Sequence, residues 1–131
     1  MKKKPTPCPC GRPATFDACC GPMLAGNRSA DTPEALMRSR YTAFARGDTA
    51  YLLASWHPDT RPEHLSLDDD PPMRWLGLSI RSAPPADGDT GTVEFIARYR
   101  SGGRAGQIHE LSRFRREHDC WFYVDGDIQD D

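Results

Sequence analysis

Cys8-Pro9-Cys10-Gly11 and Cys19-Cys20-Gly21-Pro22 contain four of the five cysteines of this chain. Two thiols separated by one residue, followed by an adjacent pair after a short loop, can supply four sulfur ligands to one tetrahedral ion. Zinc favours such closed thiolate sites in a structural role, and the metal supplies folding energy to a segment too short to bury a core. The sequence therefore predicts a structural Zn2+ site at Cys8, Cys10, Cys19 and Cys20.

The four thiols leave two other interpretations open, namely free cysteines or disulfides formed on oxidation. A bridge between the adjacent Cys19 and Cys20 would be strained, which disfavours a simple disulfide pair. A closed four-sulfur site has no open coordination position for a substrate or an activated water, so its predicted role is structural. The fifth cysteine, Cys120, lies in an apolar run and is interpreted as a small buried residue.

Composition limits the classes of function. Of the 131 residues, 37% are hydrophobic and 27% are charged, which is typical of a soluble globular protein. No apolar run reaches the roughly 18 residues of a membrane span, and no apolar segment follows Lys2-Lys3-Lys4 as a secretory signal requires. We therefore expect a cytoplasmic protein with no membrane partner, in a reducing compartment that favours metal over disulfides.

Charge argues against a nucleic-acid partner. The three amino-terminal lysines are interpreted as part of a solvated tail, and beyond residue 28 the carboxylates outnumber the arginines. An acidic main body repels a phosphate backbone over most of its surface. Asp68-Asp69-Asp70 lacks the alternating ligands and the glycine of a calcium loop and is interpreted as a solvated acidic turn.

The residues after the cysteines first predict helices. Thr32-Pro33-Glu34 opens one, with a hydroxyl cap, a proline at the first helical position and a carboxylate near the positive end of the dipole. Met37, Tyr41 and Phe44 recur at helical spacing, and Gly47 ends the helix. A second helix, capped by an aspartate, is predicted from Thr49 to about Trp56.

From Met73 onward the pattern changes to the alternation that is typical of strands, beginning with Leu76, Leu78 and Ile80 on one face. Four such segments are separated by turn sequences at residues 84–88, 101–103 and 118–119. Helices followed by a four-stranded meander predict an α+β fold, in which the helices pack on one side of a curved antiparallel sheet.

The cysteine segments resemble the SEC-C zinc knuckle, named for the C-terminus of the SecA translocation ATPase. Later segments resemble, in the same order, the bacterial YchJ-like family. They are Glu34-Ala35-Leu36-Met37-Arg38-Ser39-Arg40-Tyr41-Thr42-Ala43-Phe44, Ser55-Trp56-His57-Pro58, Gly91-Thr92-Val93-Glu94-Phe95, His109-Glu110-Leu111-Ser112-Arg113-Phe114 and Trp121-Phe122-Tyr123-Val124-Asp125-Gly126.

The resemblance implies two domains and no activity. Residues 1–24 would form a SEC-C-like zinc knuckle with a disordered lead-in. Residues 25–131 would form a domain similar to nuclear transport factor 2, a cystatin-like cone of sheet wrapped on helices. In the translocase the knuckle engages an acidic chaperone and the ribosome through a basic loop. Here that loop has Arg12 opposed by Asp17, so the resemblance implies the metal and not those partners.

The strand around Glu110 is the second candidate site. Glu110 and Ser112 share a strand face with apolar neighbours, and a carboxylate that enters the cone with that face needs a partner or a raised pKa. Glu110 is therefore an acid/base candidate, and the alternative is a structural Glu–Arg pair. Ser112 and His57 are further catalytic candidates, although His57 is also suited to capping the second helix. The residues expected to line the pocket are Arg38, Tyr41, Trp56, Arg98, Tyr99 and Tyr123.

Arg38 and Arg40 are two residues apart, so at most one of them points into the cone.

Two functions follow from these features. The favoured one is an adaptor or protein-interaction module, in which the knuckle recognises a protein partner and the cone docks or forms a homodimer. The alternative is a small-molecule-binding protein or enzyme that uses Glu110. A pocket of a few hundred cubic ångströms with Glu110 at its floor would favour the alternative.

Overall fold

Three helices precede four strands in the computed structural model, which describes residues 7–67 and 72–129. A 3₁₀ turn at Phe16–Ala18 is followed by the helices α1 (Gly21–Leu24), α2 (Pro33–Arg46) and α3 (Thr49–Ala54) and by the strands β1 (Met73–Ser82), β2 (Thr90–Ser101), β3 (Arg104–Glu117) and β4 (Cys120–Ile128). The predicted lysine tail and the predicted acidic turn at 68–70 lie outside the described residues.

The ends of α2 are those that the sequence predicts. The Thr32 hydroxyl accepts a hydrogen bond from the Ala35 amide at 3.0 Å, and Pro33 occupies the first helical position. Gly47 ends the helix with a φ of 75°, a left-handed conformation that glycine adopts without a Cβ clash.

The helix α3 ends two residues earlier than predicted. Its cap is the expected one, since the Asp48 carboxylate accepts from the Tyr51 amide at 3.0 Å. Beyond Ala54 the backbone pairs with β4 instead, because the Tyr123 amide donates to the Ser55 carbonyl and the His57 amide donates to the Tyr123 carbonyl. The Ser55 carbonyl and the His57 amide thus form hydrogen bonds with β4 instead of the helical hydrogen bonds of a longer α3.

The strands pair antiparallel in chain order, β1-β2-β3-β4, which is the predicted meander. The register of β1 differs from simple alternation, because a bulge lies between Trp75 and Gly77. The bulge turns Trp75 toward the helices, where its ring lies 5.8 Å from that of Tyr41, and leaves Leu76 50% exposed. Leu76 is therefore not on the buried face with Leu78 and Ile80.

The inner face of the sheet packs against α2 in one buried cluster that contains Met37, Val93, Phe95 and Phe114. Cys8, Cys10, Cys19 and Cys20 belong to the same cluster. Helices on one side of a four-stranded antiparallel sheet confirm the predicted α+β fold. The division at residues 24 and 25 stays a prediction, although the cysteine segment shares its buried contacts with the cone.

Candidate metal centre and ligand cavity

The four cysteine sulfurs of the amino-terminal segment converge on one point, lying within 4.8 Å of one another, and all four residues are buried. The Cys10 and Cys19 sulfurs are 3.7 Å apart, and those of Cys19 and Cys20 are 4.0 Å apart. A tetrahedral zinc ion with bonds of about 2.3 Å places its sulfurs about 3.8 Å from each other, so these donors fit a four-coordinate ion. None of the four forms a disulfide.

Two tight backbone turns present the sulfurs. The Cys8 amide donates to the Ala14 carbonyl at 2.9 Å and the Gly11 amide to the Cys8 carbonyl at 3.3 Å, which closes the first turn. Gly11 has a φ of 90°, a conformation that favours glycine. The second cysteine pair immediately precedes α1, which begins at Gly21. The Gly21 backbone lies so close to Phe16 that a Cβ on residue 21 would be 2.8 Å from the Phe16 carbonyl oxygen.

The thiols influence one another's ionisation. A hydrogen bond from Cys20 is the main cause that lowers the pKa of Cys10 to about 4. Burial raises the pKa of Cys19 to about 11, and the hydrogen bond to Cys10 raises the pKa of Cys20 above its ordinary value. Since one buried thiolate makes the next ionisation unfavourable, a cation is needed for all four sulfurs to be thiolates together.

Helix α2 supports the cysteine segment from behind. The fully buried Thr42 places its hydroxyl oxygen 3.7 Å from the Cys8 sulfur. Arg38 donates to the Cys10 carbonyl at 2.8 Å and to the Glu34 carboxylate at 2.9 Å. Arg38, expected in the cone pocket, therefore lies beside the cysteines.

A cavity of about 700 Å³ lies between α2, the segment that follows α3 and the inner face of the sheet. Its walls are mainly aromatic and aliphatic and include Tyr41, Phe44, Trp56, Trp75, Ala97 and Tyr123. The charged side chains among its described lining residues are Arg40, Arg46 and Glu110. This is the size and chemistry of a site for a small organic molecule.

Glu110 reaches the cavity from β3. Its Oε2 accepts hydrogen bonds from the Ser112 and Tyr123 hydroxyls, the latter at 3.3 Å. Among the described residues its Oε1 receives no hydrogen bond and the carboxylate forms no ion pair. Gly126 on β4 leaves room for this arrangement, since a Cβ there would lie 2.5 Å from Oε2. Burial and the nearby charge of Glu110 both raise the pKa of Tyr123.

Arg40 is the inward arginine of α2 and is only 3% exposed. Its Nη1 donates to the Leu52 carbonyl at 2.8 Å and to the Ser55 hydroxyl at 2.7 Å. Its Cζ lies 5.1 Å from the ring centroid of Trp56 and 4.5 Å from that of Tyr123. Burial lowers its pKa to about 10. The sequence interpretation missed Arg40, although it falls three residues after Met37 and four before Phe44, on the helix face already assigned to the core.

The other candidates divide between the cavity and the outside. Tyr41, Trp56 and Tyr123 line the cavity as expected, whereas Arg98 and Tyr99 are not among its described lining residues. Arg98 is exposed and donates to the Ser79 hydroxyl at 3.1 Å. The ring of Tyr99 packs 5.9 Å from that of Trp75.

His57 is buried outside the cavity. Its Nδ1 accepts from the Asp59 amide at 3.1 Å, so its Nε2 carries the ring proton and donates to the Glu117 carboxylate at 2.9 Å. These hydrogen bonds and the backbone pairing with β4 hold His57 in place, which is a structural role. Cys120, expected to be buried, is half-buried, and its sulfur lies 3.9 Å from the Ser29 hydroxyl.

None of the helices in the described part of the chain combines the length and the apolar character that crossing a bilayer requires.

Comparison with known proteins places this arrangement in a family. The model of the middle NTF2-like domain of YchJ matches residues 32–126. A UPF0225 protein of Bordetella pertussis is 48% identical over 134 residues, covering 98% of this chain and 100% of that protein. A UPF0225 protein of Streptomyces coelicolor is 52% identical over 128 residues, covering 95% and 97%.

Two solved structures are similar. The solution structure of a SEC-C motif containing protein from Rhodopseudomonas palustris has a TM-score of 0.84 and 39% sequence identity, covering 94% of this chain and 98% of that chain. A SEC-C motif containing protein from Psychrobacter arcticus has a TM-score of 0.75 at 24% identity, covering 98% and 84%, and shows the likeness of fold alone. The chain therefore belongs to the YchJ-like UPF0225 family, with a SEC-C-type cysteine knuckle ahead of an NTF2-like domain.

Proposed function

We propose that this protein binds a small, largely apolar molecule in the cone cavity and that its knuckle is a structural zinc site. The observation that carries the proposal is the cavity of about 700 Å³, with aromatic walls and the Glu110 carboxylate among its lining groups. Apolar walls supply affinity, and one or two polar groups within them fix the orientation of a ligand.

The same observation supports one of the two functions that the sequence left open. An adaptor with a filled core would have Glu110 paired with an arginine. Here Glu110 has no ion pair among the described residues, and the cavity beside it is large enough for a two-ring molecule. The geometry therefore favours the ligand-binding alternative over the adaptor. A protein partner or a second copy on the knuckle stays a prediction, which light scattering with and without zinc would test.

The case for zinc rests on the donor set. Four cysteine sulfurs, with no oxygen ligand among the residues that the structure describes, suit a soft, four-coordinate ion. The distances between the sulfurs match those of a tetrahedral zinc site. A site filled by four protein ligands has no position for a reacting molecule. We therefore assign the metal to holding the knuckle against α2, while the cone provides the binding site.

Glu110 offers the cavity a hydrogen-bond acceptor. With Oε2 occupied by two hydroxyls, Oε1 is free to accept a hydrogen bond from a ligand. The same oxygen is placed to take a proton from a bound molecule, which would make the site catalytic. The cavity itself supports the binding of a small molecule, so the first experiment measures binding.

The test uses 2-naphthamide, a neutral two-ring probe, and the tryptophan indole N–H signals in nitrogen–proton NMR spectra. The chain has three tryptophans, of which Trp56 and Trp75 line the cavity and Trp121 does not. We expect the probe to shift the Trp56 and Trp75 signals and to leave that of Trp121 in place.

A filled cavity provides the control. Ala97→Leu adds three carbons to a buried wall of the cavity and should abolish the shifts. Ala105→Leu makes the same change at an exposed position of β3 and should preserve them. Shifts that survive in Ala97→Leu, or an absence of shifts in the unmodified protein, would contradict the proposed site.

A further inference from the structure

The guanidinium of Arg40 has unused hydrogen-bonding capacity. Arginine has five N–H donors, and the contacts of Arg40 with Leu52 and Ser55 both involve Nη1. No described residue accepts a hydrogen bond from its Nε or Nη2. A buried guanidinium normally has each of its nitrogens paired.

These free donors face the cavity. Among the described residues, one side-chain polar atom is both inaccessible to solvent and without a hydrogen bond, and this atom is Trp56 Nε1 rather than a nitrogen of Arg40. The unpaired nitrogens of Arg40 therefore keep some accessible surface, although the residue is only 3% exposed. Since Arg40 lines the cavity, that surface opens into it.

The charge beside these donors is not neutralised by contact. Arg40 forms no ion pair among the described residues; its guanidinium lies over the ring of Tyr123, whose hydroxyl contacts the Glu110 carboxylate. The rings of Trp56 and Tyr123 stabilise the cation through their faces, which a carboxylate at the edge of the guanidinium would not disturb. With Arg46 included, the described lining carries two positive groups and one negative group.

We infer, on the basis of the proposed function, that the ligand is a small organic carboxylate whose anionic group pairs with Arg40. Guanidinium and carboxylate match in a planar, two-bonded geometry that is stronger than a neutral hydrogen bond. The apolar body of the ligand then lies along Tyr41, Phe44 and Trp75. A phosphate would bring about two negative charges to a site with one buried cation and mainly apolar walls, so the carboxylate is favoured.

The first test compares two ligands of the same shape on the unmodified protein. Isothermal titration at pH 7.5 gives the dissociation constants of 2-naphthoate and 2-naphthamide. We expect 2-naphthoate to bind about tenfold more tightly, the gain typical of a charge-assisted hydrogen bond. Equal binding, or tighter binding of the amide, overturns the inference and leaves the proposed cavity intact. Binding of neither probe overturns the inference and the cavity together.

The second test assigns the preference to Arg40. Arg40→Lys keeps the charge and loses the planar fork, so affinity for 2-naphthoate should fall about tenfold while that for 2-naphthamide changes little. Arg46→Gln is the control for a general loss of positive charge and should have a smaller effect. An equal loss in the two variants overturns the assignment. If Arg40→Lys does not fold, the comparison of ligands on the unmodified protein still decides.

The third test uses the opposite charge. Glu110→Gln retains an oxygen for the Ser112 and Tyr123 hydroxyls but removes a negative charge from the cavity. A bound carboxylate should then bind severalfold more tightly, because a like charge is gone. Weaker binding of 2-naphthoate to Glu110→Gln would place the carboxylate away from Arg40 and would contradict the inference.

Discussion

Tyr123 contacts the buried Arg40 and the half-buried Glu110, with Arg40 Cζ 4.5 Å from its ring centroid and its hydroxyl 3.3 Å from the Glu110 carboxylate. The ring stabilises the cation, and the hydroxyl donates to the anion. One side chain therefore contacts both charged groups at the wall of the cavity. An Arg–Glu pair in direct contact would have neutralised both groups and left the cavity without a free polar handle.

Tyr123→Phe separates these two roles. The ring over Arg40 is kept and one hydrogen bond to Glu110 is lost, so we expect the free energy of unfolding to fall by about 1 kcal/mol. Tyr99→Phe is the matched control, because the Tyr99 hydroxyl has no hydrogen bond among the described residues. Urea unfolding of both variants checks the expectation, and equal losses would show that the Glu110 contact contributes nothing.

Thr42→Val tests how α2 supports the metal. Valine keeps the shape of threonine but cannot hydrogen-bond to the Cys8 sulfur. Outer-shell contacts of this kind hold metal ligands in place, so we expect zinc affinity to fall by about tenfold without loss of the fold. Competition with a chromophoric chelator measures the affinity. Thr92→Val, on a half-buried part of β2, should leave it unchanged, and an unchanged affinity in Thr42→Val would contradict the support role.

Glu117→Gln tests the link between His57 and β3 through its pH dependence. The hydrogen bond from His57 is the main cause that lowers the pKa of Glu117. A carboxyl group with a lowered pKa in the folded state stabilises the fold above its ordinary pKa, and this contribution is lost as the pH falls through the folded value. We therefore expect Glu117→Gln to be less stable than the unmodified protein at pH 6 to 7.

That difference should close as the pH falls below about 4. Urea unfolding at several pH values measures it, and release of the metal by acid affects both proteins alike. Glu63→Gln, at an exposed position, should show no comparable trend. A gap that stayed constant with pH would show that the charge of Glu117 does not contribute.

Cys19→Ser tests the predicted division between residues 1–24 and 25–131. Loss of one of four thiolates should release zinc and unfold the knuckle, while the four strands, which form one sheet outside the knuckle, should persist. Because the cysteines pack in the same cluster as Met37 and Val93, we expect the remaining domain to melt at a lower temperature. Circular dichroism and elemental mass spectrometry measure both effects.

Cys120→Ser is the control for the loss of a thiol, and it should retain one zinc ion per chain. If Cys19→Ser unfolded the whole chain, the knuckle and the cone would be a single folding unit and the predicted boundary would be wrong.

Local sequence features predicted most of the fold because each of them is decided within a few residues. The hydroxyl of Thr32 and the glycine at 47 define the ends of α2 without reference to the rest of the molecule. The cysteine spacing likewise predicted which sulfurs come together. In β1, by contrast, the bulge at Trp75 depends on how β2 pairs alongside, so alternation alone placed Leu76 on the wrong face.

The cavity could be predicted only in part. Strand alternation placed Glu110 on the inner face, but whether that face is filled depends on the curvature of the sheet and on side chains from α2, from the residues after α3 and from all four strands. The choice of Arg38 over Arg40 was an error of helical phase that the spacing from Met37 and Phe44 could have prevented.

The open space beside Arg40 also bears on how the protein would respond to metal starvation. A cone that keeps such a space forgoes side-chain packing that would otherwise stabilise it. The proposed zinc ion, bound only by the folded knuckle, would compensate by mass action. When zinc is scarce, the folded fraction should fall and proteolysis should remove the unfolded chains. The chains that stay folded should keep their affinity for the proposed ligand. A shortage of zinc would thus lower the amount of folded protein before it changed the affinity of that protein for a ligand.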